Sequence, residues 1–231
     1  MHSYKQFFIG TLIFYFLQIA AVSADTATAE VPKNDPAAML RNATDQVLQI
    51  VEETKNQENH DSREFHQKID AVLSQIIDLE YFARGVMATH ASVRRYRTLT
   101  TDEERQAFRE RITHFSLVLK DSLMASYADA LLAFDGERIT WEPAPPSRDP
   151  DDVTLYQIIH TKSGNSYRVQ YRLRNTDKSG WLVQNVVVEG LNLGEAYRNQ
   201  FAAAVESNRG NVDYVVENWP KLMSKVTPET K

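Results

Sequence analysis

Cysteine is absent from all 231 residues, and that absence removes several readings at once. There is no disulfide framework, no thiol nucleophile, no cysteine-ligated zinc and no cysteine to carry a lipid anchor. Stability in an oxidising compartment must then come from burial alone. Positive charge is also in short supply. Twenty-six Lys and Arg stand against 31 Asp and Glu, a net charge of -5 with a pI near 5.7, which argues against general nucleic-acid binding. Catalytic signatures are missing as well: no G-x-S-x-G elbow, no H-E-x-x-H, no P-loop and no G-x-G-x-x-G. The histidines beyond the N-terminus, His60, His66, His90, His114 and His160, are scattered and give no metal-ligand spacing. Ordinary proportions of hydrophobic (42%) and charged (25%) residues fit one globular domain.

The long hydrophobic run that is present lies at the start. Lys5 precedes an apolar stretch at 7–21, FFIGTLIFYFLQIAA, and Val22-Ser23-Ala24 ends on a small residue before Asp25. This is the pattern of a secretory signal peptide over 1–24; fifteen residues fall short of the roughly 20 that span a bilayer. Residues 25–36 lack periodicity and read as a disordered N-terminus. A single domain is expected over 37–226, followed by a tail at 227–231.

The centre of the reading is GWLVQNVVVEGLNLGEAYRNQF at 180–201, where a strand apolar on both faces turns through Glu189-Gly190 into an amphipathic helix capped at Asn192 or Gly194. Ahead of it, Leu40, Ala43, Val47, Ile50 and Val51 form one helical stripe, and Phe65, Ile69, Val72, Leu73 and Ile76 a second, as in a helical hairpin. Asp78 is placed to cap a short helix at 79–87. Thr101 and Glu104 have capping-box spacing. The pattern that follows, Phe108, Ile112, Phe115, Leu119, Leu123, Tyr127 and Leu131, predicts a helix over 102–134 with a bend or break near 120–122. Strands are expected at 153–160, 167–174 and 181–189, with a start of sheet at 139–141. In 167–174 the residues Tyr167, Val169, Tyr171 and Leu173 face one way and Arg168, Gln170, Arg172 and Arg174 the other, so one sheet face is wet. Two last helices follow, the second carrying Pro220. The class is α+β: helices, an antiparallel sheet, helices.

Aromatic residues are abundant on the inward side, including Tyr81, Tyr127, Tyr156, Tyr171 and Tyr197. Together with Tyr167, they suit either an ordinary core or a cavity for an amphiphile, with hydroxyls near its mouth. Arg94, Arg95 and Arg97 suit either a solvated loop or an attraction for an anionic head group or acidic partner.

YFARGVM at 81–87, ERQAFRERI at 104–112, SYADALLAFDG at 126–136 and VVVEGLNLGEAYRNQF at 186–201, in that order, resemble the MlaC family of periplasmic phospholipid-binding proteins, also called the toluene-tolerance family. The most specific part is V-x-x-E-G-x-x-L-x-x-x-Y-R-x-Q-F, formed by Val186, Glu189, Gly190, Leu193, Tyr197, Arg198, Gln200 and Phe201. The resemblance implies a helical subdomain packed on a four-stranded antiparallel sheet, enclosing an apolar lipid cavity. It implies a carrier that shuttles phospholipid through the periplasm between an outer-membrane lipoprotein-porin complex and an inner-membrane ABC transporter bearing an MCE-domain ring, so maintaining outer-membrane lipid asymmetry. Such a carrier needs neither catalytic group nor cofactor nor metal. The lipid-lining residues expected on this reading are Tyr81, Phe82, Val86, Met87, Phe115, Leu119, Tyr127, Tyr156, Ile158, Val169, Tyr171, Val186, Val188 and Tyr197. A small periplasmic hydrolase or isomerase using the same cavity is the alternative.

Overall fold

The computed structural model describes residues 35–57, 61–132, 136–143, 145, 147–176 and 179–224, without the side chains of 126–130, 136–137 and 224. The expected signal peptide, the N-terminal segment up to residue 34 and the tail at 227–231 lie outside the described residues. Among those described, the chain forms seven α-helices and a five-stranded sheet. The stretch expected as one domain divides into two compact units, the first comprising the described residues up to Ile77 together with Met124–Leu191, the second Asp78–Leu123 and the described residues from Asn192.

In the first unit, helices α1 (Pro36–Lys55) and α2 (Ser62–Ile76) form the expected hairpin. Each begins on an aspartate. The Asp35 carboxylate accepts from the Ala37 N–H at 2.8 Å with Pro36 in the first turn, and that of Asp61 accepts from the Arg63 N–H at 2.8 Å, which satisfies amide groups that a helix start leaves open. The sheet runs β1 (Gly136–Glu142), β2 (Asp152–Thr161), β3 (Ser166–Thr176), β4 (Gly180–Val188) and β5 (Leu191–Asn192), in sequence order. The first four pair antiparallel in succession. The fifth strand was not expected. Two residues carry no periodicity, so only the turn before them could have signalled it.

That turn is built by backbone conformation. Glu189 and Gly190 both take positive φ, 49° and 79°, which two-residue hairpin turns of the primed type require. Glycine adopts this freely; glutamate does not. The Glu189 N–H donates to the Arg168 carbonyl at 3.0 Å and its carboxylate accepts from the Arg168 N–H. A glutamate here thus extends the β3–β4 ladder by one side chain.

Register assigns the two faces of the sheet. Val153, Leu155, Gln157 and Ile159 stand opposite Leu173, Tyr171, Val169 and Tyr167, and the first three pairs continue onto β4 through Val183, Val186 and Val188. This face takes the helical hairpin. Met39, Leu40, Val51, Phe65, Ile69, Val72 and Ile76 bury against Leu155, Leu173, Trp181 and Val183, and Ile77 leaves α2 to bridge Val183 directly. The opposite face is wet, as the alternation predicts. Arg168 lies 3.8 Å over the Tyr156 ring and pairs with Glu142 at 2.7 Å, while Arg172 grips Asp152 with two nitrogens.

The hydrogen bond from Arg172 holds the Asp152 carboxyl below its usual range, against the opposing effect of desolvation. A depressed folded value stabilises the fold above the ordinary aspartate pKa of about 3.9, and the contribution is lost as pH falls through the folded value. Urea stability measured from pH 5 down to pH 2 should therefore fall less steeply for Asp152→Asn than for the parent. The variant should start from a lower plateau.

The second unit is helical: α3 (Leu79–Met87), a 3-10 turn (Ala88–Ala91), α4 (Val93–Tyr96), the larger part of α5 (Asp102–Leu132), α6 (Leu193–Ser207) and α7 (Val212–Ser224). The expected caps form. Asp78 accepts from the Tyr81 N–H at 3.0 Å, Asn192 from that of Glu195 at 3.1 Å, and Thr101 and Glu104 exchange bonds at 3.2 and 3.1 Å. The backbone N–H groups of Thr100 and Thr101 hold the Glu104 carboxyl below its usual range.

Helix α5 does not break near 120–122. It runs for 31 residues, about 47 Å at the usual rise, with neither Gly nor Pro to interrupt it. Its length has a use in packing: Phe108, Ile112, Phe115 and Leu119 enter the second unit's core, while Met124, Leu131 and Leu132 pack against the first. At the centre of the second core the Phe115 ring lies 5.0 Å from Phe201 and 5.4 Å from Trp219, both edge-on. Arg198 donates to the Gly85 carbonyl at 2.9 Å, tying α6 to α3. Helix α7 passes through Pro220 without ending there.

Candidate functional site

The apolar stripe of α1 does not pack fully against the sheet. Leu40, Ala43, Thr44, Val47, Leu48 and Val51 recur at spacings of three, four and one along that helix, and together with Leu73 and Ile76 of α2, Leu131 of α5, Gln157 of β2 and Tyr171 of β3 they line a cavity of about 170 Å³. Small and short side chains at Ala43, Thr44, Val47 and Val51 leave this space where longer ones would close it. Among the described residues, eight of the lining side chains are apolar and none is charged. The volume is comparable to the roughly 150 Å³ that accommodates a benzene ring and below the roughly 300 Å³ of pockets for drug-sized ligands.

Three polar groups interrupt the apolar wall and bond to one another. The Tyr171 hydroxyl donates to Gln157 Oε1 at 2.8 Å, Gln157 Nε2 donates to Thr44 Oγ1 at 3.4 Å, and Thr44 Oγ1 donates to the Leu40 carbonyl at 2.8 Å. Gln157 is only 1% exposed. Burial pushes the Tyr171 hydroxyl well above the usual phenol range, so folding favours its neutral form. That contribution is present below the ordinary tyrosine pKa of about 10 and is lost as pH rises through the folded value. Absorbance titration near 295 nm should show one tyrosine ionising only with alkaline unfolding, and Tyr171→Phe should remove that late step.

The residues expected to line the site are distributed as follows. Tyr171 lines the cavity. Val169, Val186 and Val188 share its sheet face and pack beside it around Ile159 with Leu48 and Tyr167. Tyr156 and Ile158 stand on the other, wet face, opposite Gln170 and Arg168. Val86, Met87, Phe115 and Leu119 are buried in the second unit's core, with Phe82 and Tyr197 packed against it. Tyr81 is 44% exposed. The Tyr127 side chain lies outside the described residues. Reasoning from sequence did not assign the α1 and α2 stripes to a cavity, and it missed Gln157. The signal for Gln157 was available: a glutamine between Leu155 and Ile159 occupies an inward position of an alternating strand. Among the described residues no three His, Asp or Glu side chains converge as a metal would require.

The fold and its cavity define a class: an α+β protein with a small, partly open apolar chamber lined by a helical hairpin and an antiparallel sheet. Comparison with known proteins makes the assignment particular. The family model for the MlaC protein matches residues 41–221, and the chain belongs to the MlaC family. It is 27% identical over 207 residues to the toluene tolerance protein ttg2D of Pseudomonas putida, covering 90% of this chain and 88% of that one. Among solved structures, it is similar to the phospholipid-binding protein from Ralstonia solanacearum in complex with a phospholipid, with a TM-score of 0.60 and 22% identity over 83% of this chain and 98% of that one.

Proposed function

We propose that this chain is a periplasmic phospholipid carrier, holding acyl chains in the cavity of the first unit with the head group outside. It passes lipid between an outer-membrane lipoprotein-porin complex and an inner-membrane ABC transporter with an MCE-domain ring, and so maintains outer-membrane lipid asymmetry. The observation that carries this reading is a chamber with apolar walls and, among the described residues, no charged lining. At about 0.8 kcal/mol per CH₂, two long acyl chains exposed to water would cost on the order of 20 kcal/mol or more, so a carrier must enclose them. The three polar side chains described in the chamber supply no pair of nucleophile and base, which favours carriage over catalysis. A volume of about 170 Å³ is too small for two such chains, so loading must widen the chamber.

Native mass spectrometry of protein purified without detergent tests this. The expected result is co-purified phospholipid at a fixed stoichiometry. A protein that neither retains nor takes up phospholipid contradicts it, and steady turnover of a lipid ester would favour the hydrolase instead.

A second expectation concerns Arg94, Arg95 and Arg97, all exposed on and just after α4 in an acidic protein. Local positive charge of this kind steers encounter with acidic partners. Reversing all three charges should slow lipid exchange with acceptor complexes at low salt more than at high salt, because steering is screened over about 10 Å at 0.1 M. An unchanged exchange rate would assign these residues to solvation.

A further inference from the structure

The polar side chains of the chamber need an explanation that acyl tails do not provide. Hydrocarbon makes no hydrogen bond, and an amide buried in an apolar wall is unfavourable unless its donors and acceptor are matched. Gln157 has two N–H groups and one carbonyl. Its carbonyl is matched at 2.8 Å by Tyr171. Among the described residues its N–H groups have only Thr44 Oγ1, at 3.4 Å, a long contact for an N–H donor. A donor set in the chamber wall is therefore available to an acceptor brought in by the ligand.

We infer that Gln157 reads the acyl carbonyl of the bound lipid, its amide N–H donating to the ester oxygen while Tyr171 fixes the amide's orientation. This rests on the phospholipid reading above and adds to it a selection for ester-linked acyl chains. Tyr171 donates to the amide oxygen, so the nitrogen side is turned away from the phenol and remains the donating end. Among the described residues the lining carries no cation, which suits a neutral ester better than a carboxylate, because a buried carboxylate without a partner is strongly disfavoured. An ether-linked lipid offers the same chain and shape with no carbonyl.

The test is a competition, read by native mass spectrometry, between a diacyl phosphatidylcholine and a dialkyl ether phosphatidylcholine of equal chain length on delipidated protein. The parent should favour the ester by roughly fivefold, the scale of one net hydrogen bond. In Gln157→Met/Tyr171→Phe, which removes both partners so that neither is left orphaned, the ester and ether should bind equally. Equal binding of the two lipids by the parent overturns this inference and leaves the carrier reading standing; that comparison needs no variant. A preference that survives in the double variant overturns the assignment to Gln157. Failure of the parent to bind either lipid overturns the carrier reading and this inference with it. Palmitate added as a third competitor separates the source of the carbonyl. If it displaces the diacyl lipid at equal concentration, a free fatty acid is the ligand and the ester assignment fails.

Discussion

Val47→Glu should leave a folded protein that no longer holds phospholipid, whereas Val169→Glu should be destabilised by about 3 kcal/mol or more. Both put a carboxylate on the side of the structure where α1 meets the sheet, and burial separates them. Val47 is half-buried on α1 and lines the chamber, so its carboxylate keeps access to water while making the wall hostile to a methylene chain, with a loss of affinity of roughly tenfold or more. Val169 is 6% exposed and sits against Ile159 with Leu48, Tyr171, Val186 and Val188 around it. From the alternation of β3 alone, Val169→Glu would be expected to fold and merely lose lipid, since that strand face was read as cavity wall. Its low exposure beside the buried Ile159 carries the opposite expectation, a carboxylate without a partner. Circular dichroism and urea midpoints separate the two variants, and mass spectrometry reads their lipid. A Val47→Glu protein that keeps its lipid would remove α1 from the binding wall.

Trp219→Ala should cost about 3–5 kcal/mol, the range for removing a fully buried aromatic side chain. Trp219 has no exposed surface, and its ring contacts Phe115 and Phe201 from a third side at 5.4 and 5.8 Å. The three rings come from α5, α6 and α7, so the deletion opens a void that no single helix can fill by shifting. A urea titration followed by circular dichroism measures the loss. Trp219→Phe, which keeps an aromatic body, should recover a large part of it. If alanine costs under about 1 kcal/mol, the second unit does not depend on this cluster.

Local features were legible in the sequence because they are settled within a few residues. Asp78, Asn192 and the Thr101–Glu104 pair had to cap helices, since the side chain and the amide it satisfies are neighbours in the chain. The alternation in 167–174 divided the dry and wet faces correctly because pleating alone determines it. What covers each apolar face was not legible. Phe115, Leu119, Val86 and Met87 read equally well as cavity wall or as core, and the structure gathers them into one helical core with Phe201 and Trp219. Helix α5 looked too long to be unbroken, because its two uses, one in each unit's core, appear only when both cores are seen. β5 is too short to leave a pattern. The family motif at 186–201 identified the chain through residues whose work is largely architectural: Glu189 completes a strand ladder, Arg198 binds the Gly85 carbonyl, and Phe201 packs with Phe115 and Trp219. Its specificity therefore pointed to the fold, while the chamber lies among side chains of α1, α2, α5, β2 and β3 that the motif does not include.

The most direct test is photo-crosslinking with a phospholipid that carries a diazirine a few carbons from one acyl ester, followed by peptide mapping. Acyl chains held in the first unit's chamber should place the label on α1, at Ala43, Val47 or Val51, and on the strand bearing Tyr171. Label confined to Asp78–Leu123 and the residues from Asn192 onward would show that the acyl chains lie elsewhere and that this chamber is not the lipid site.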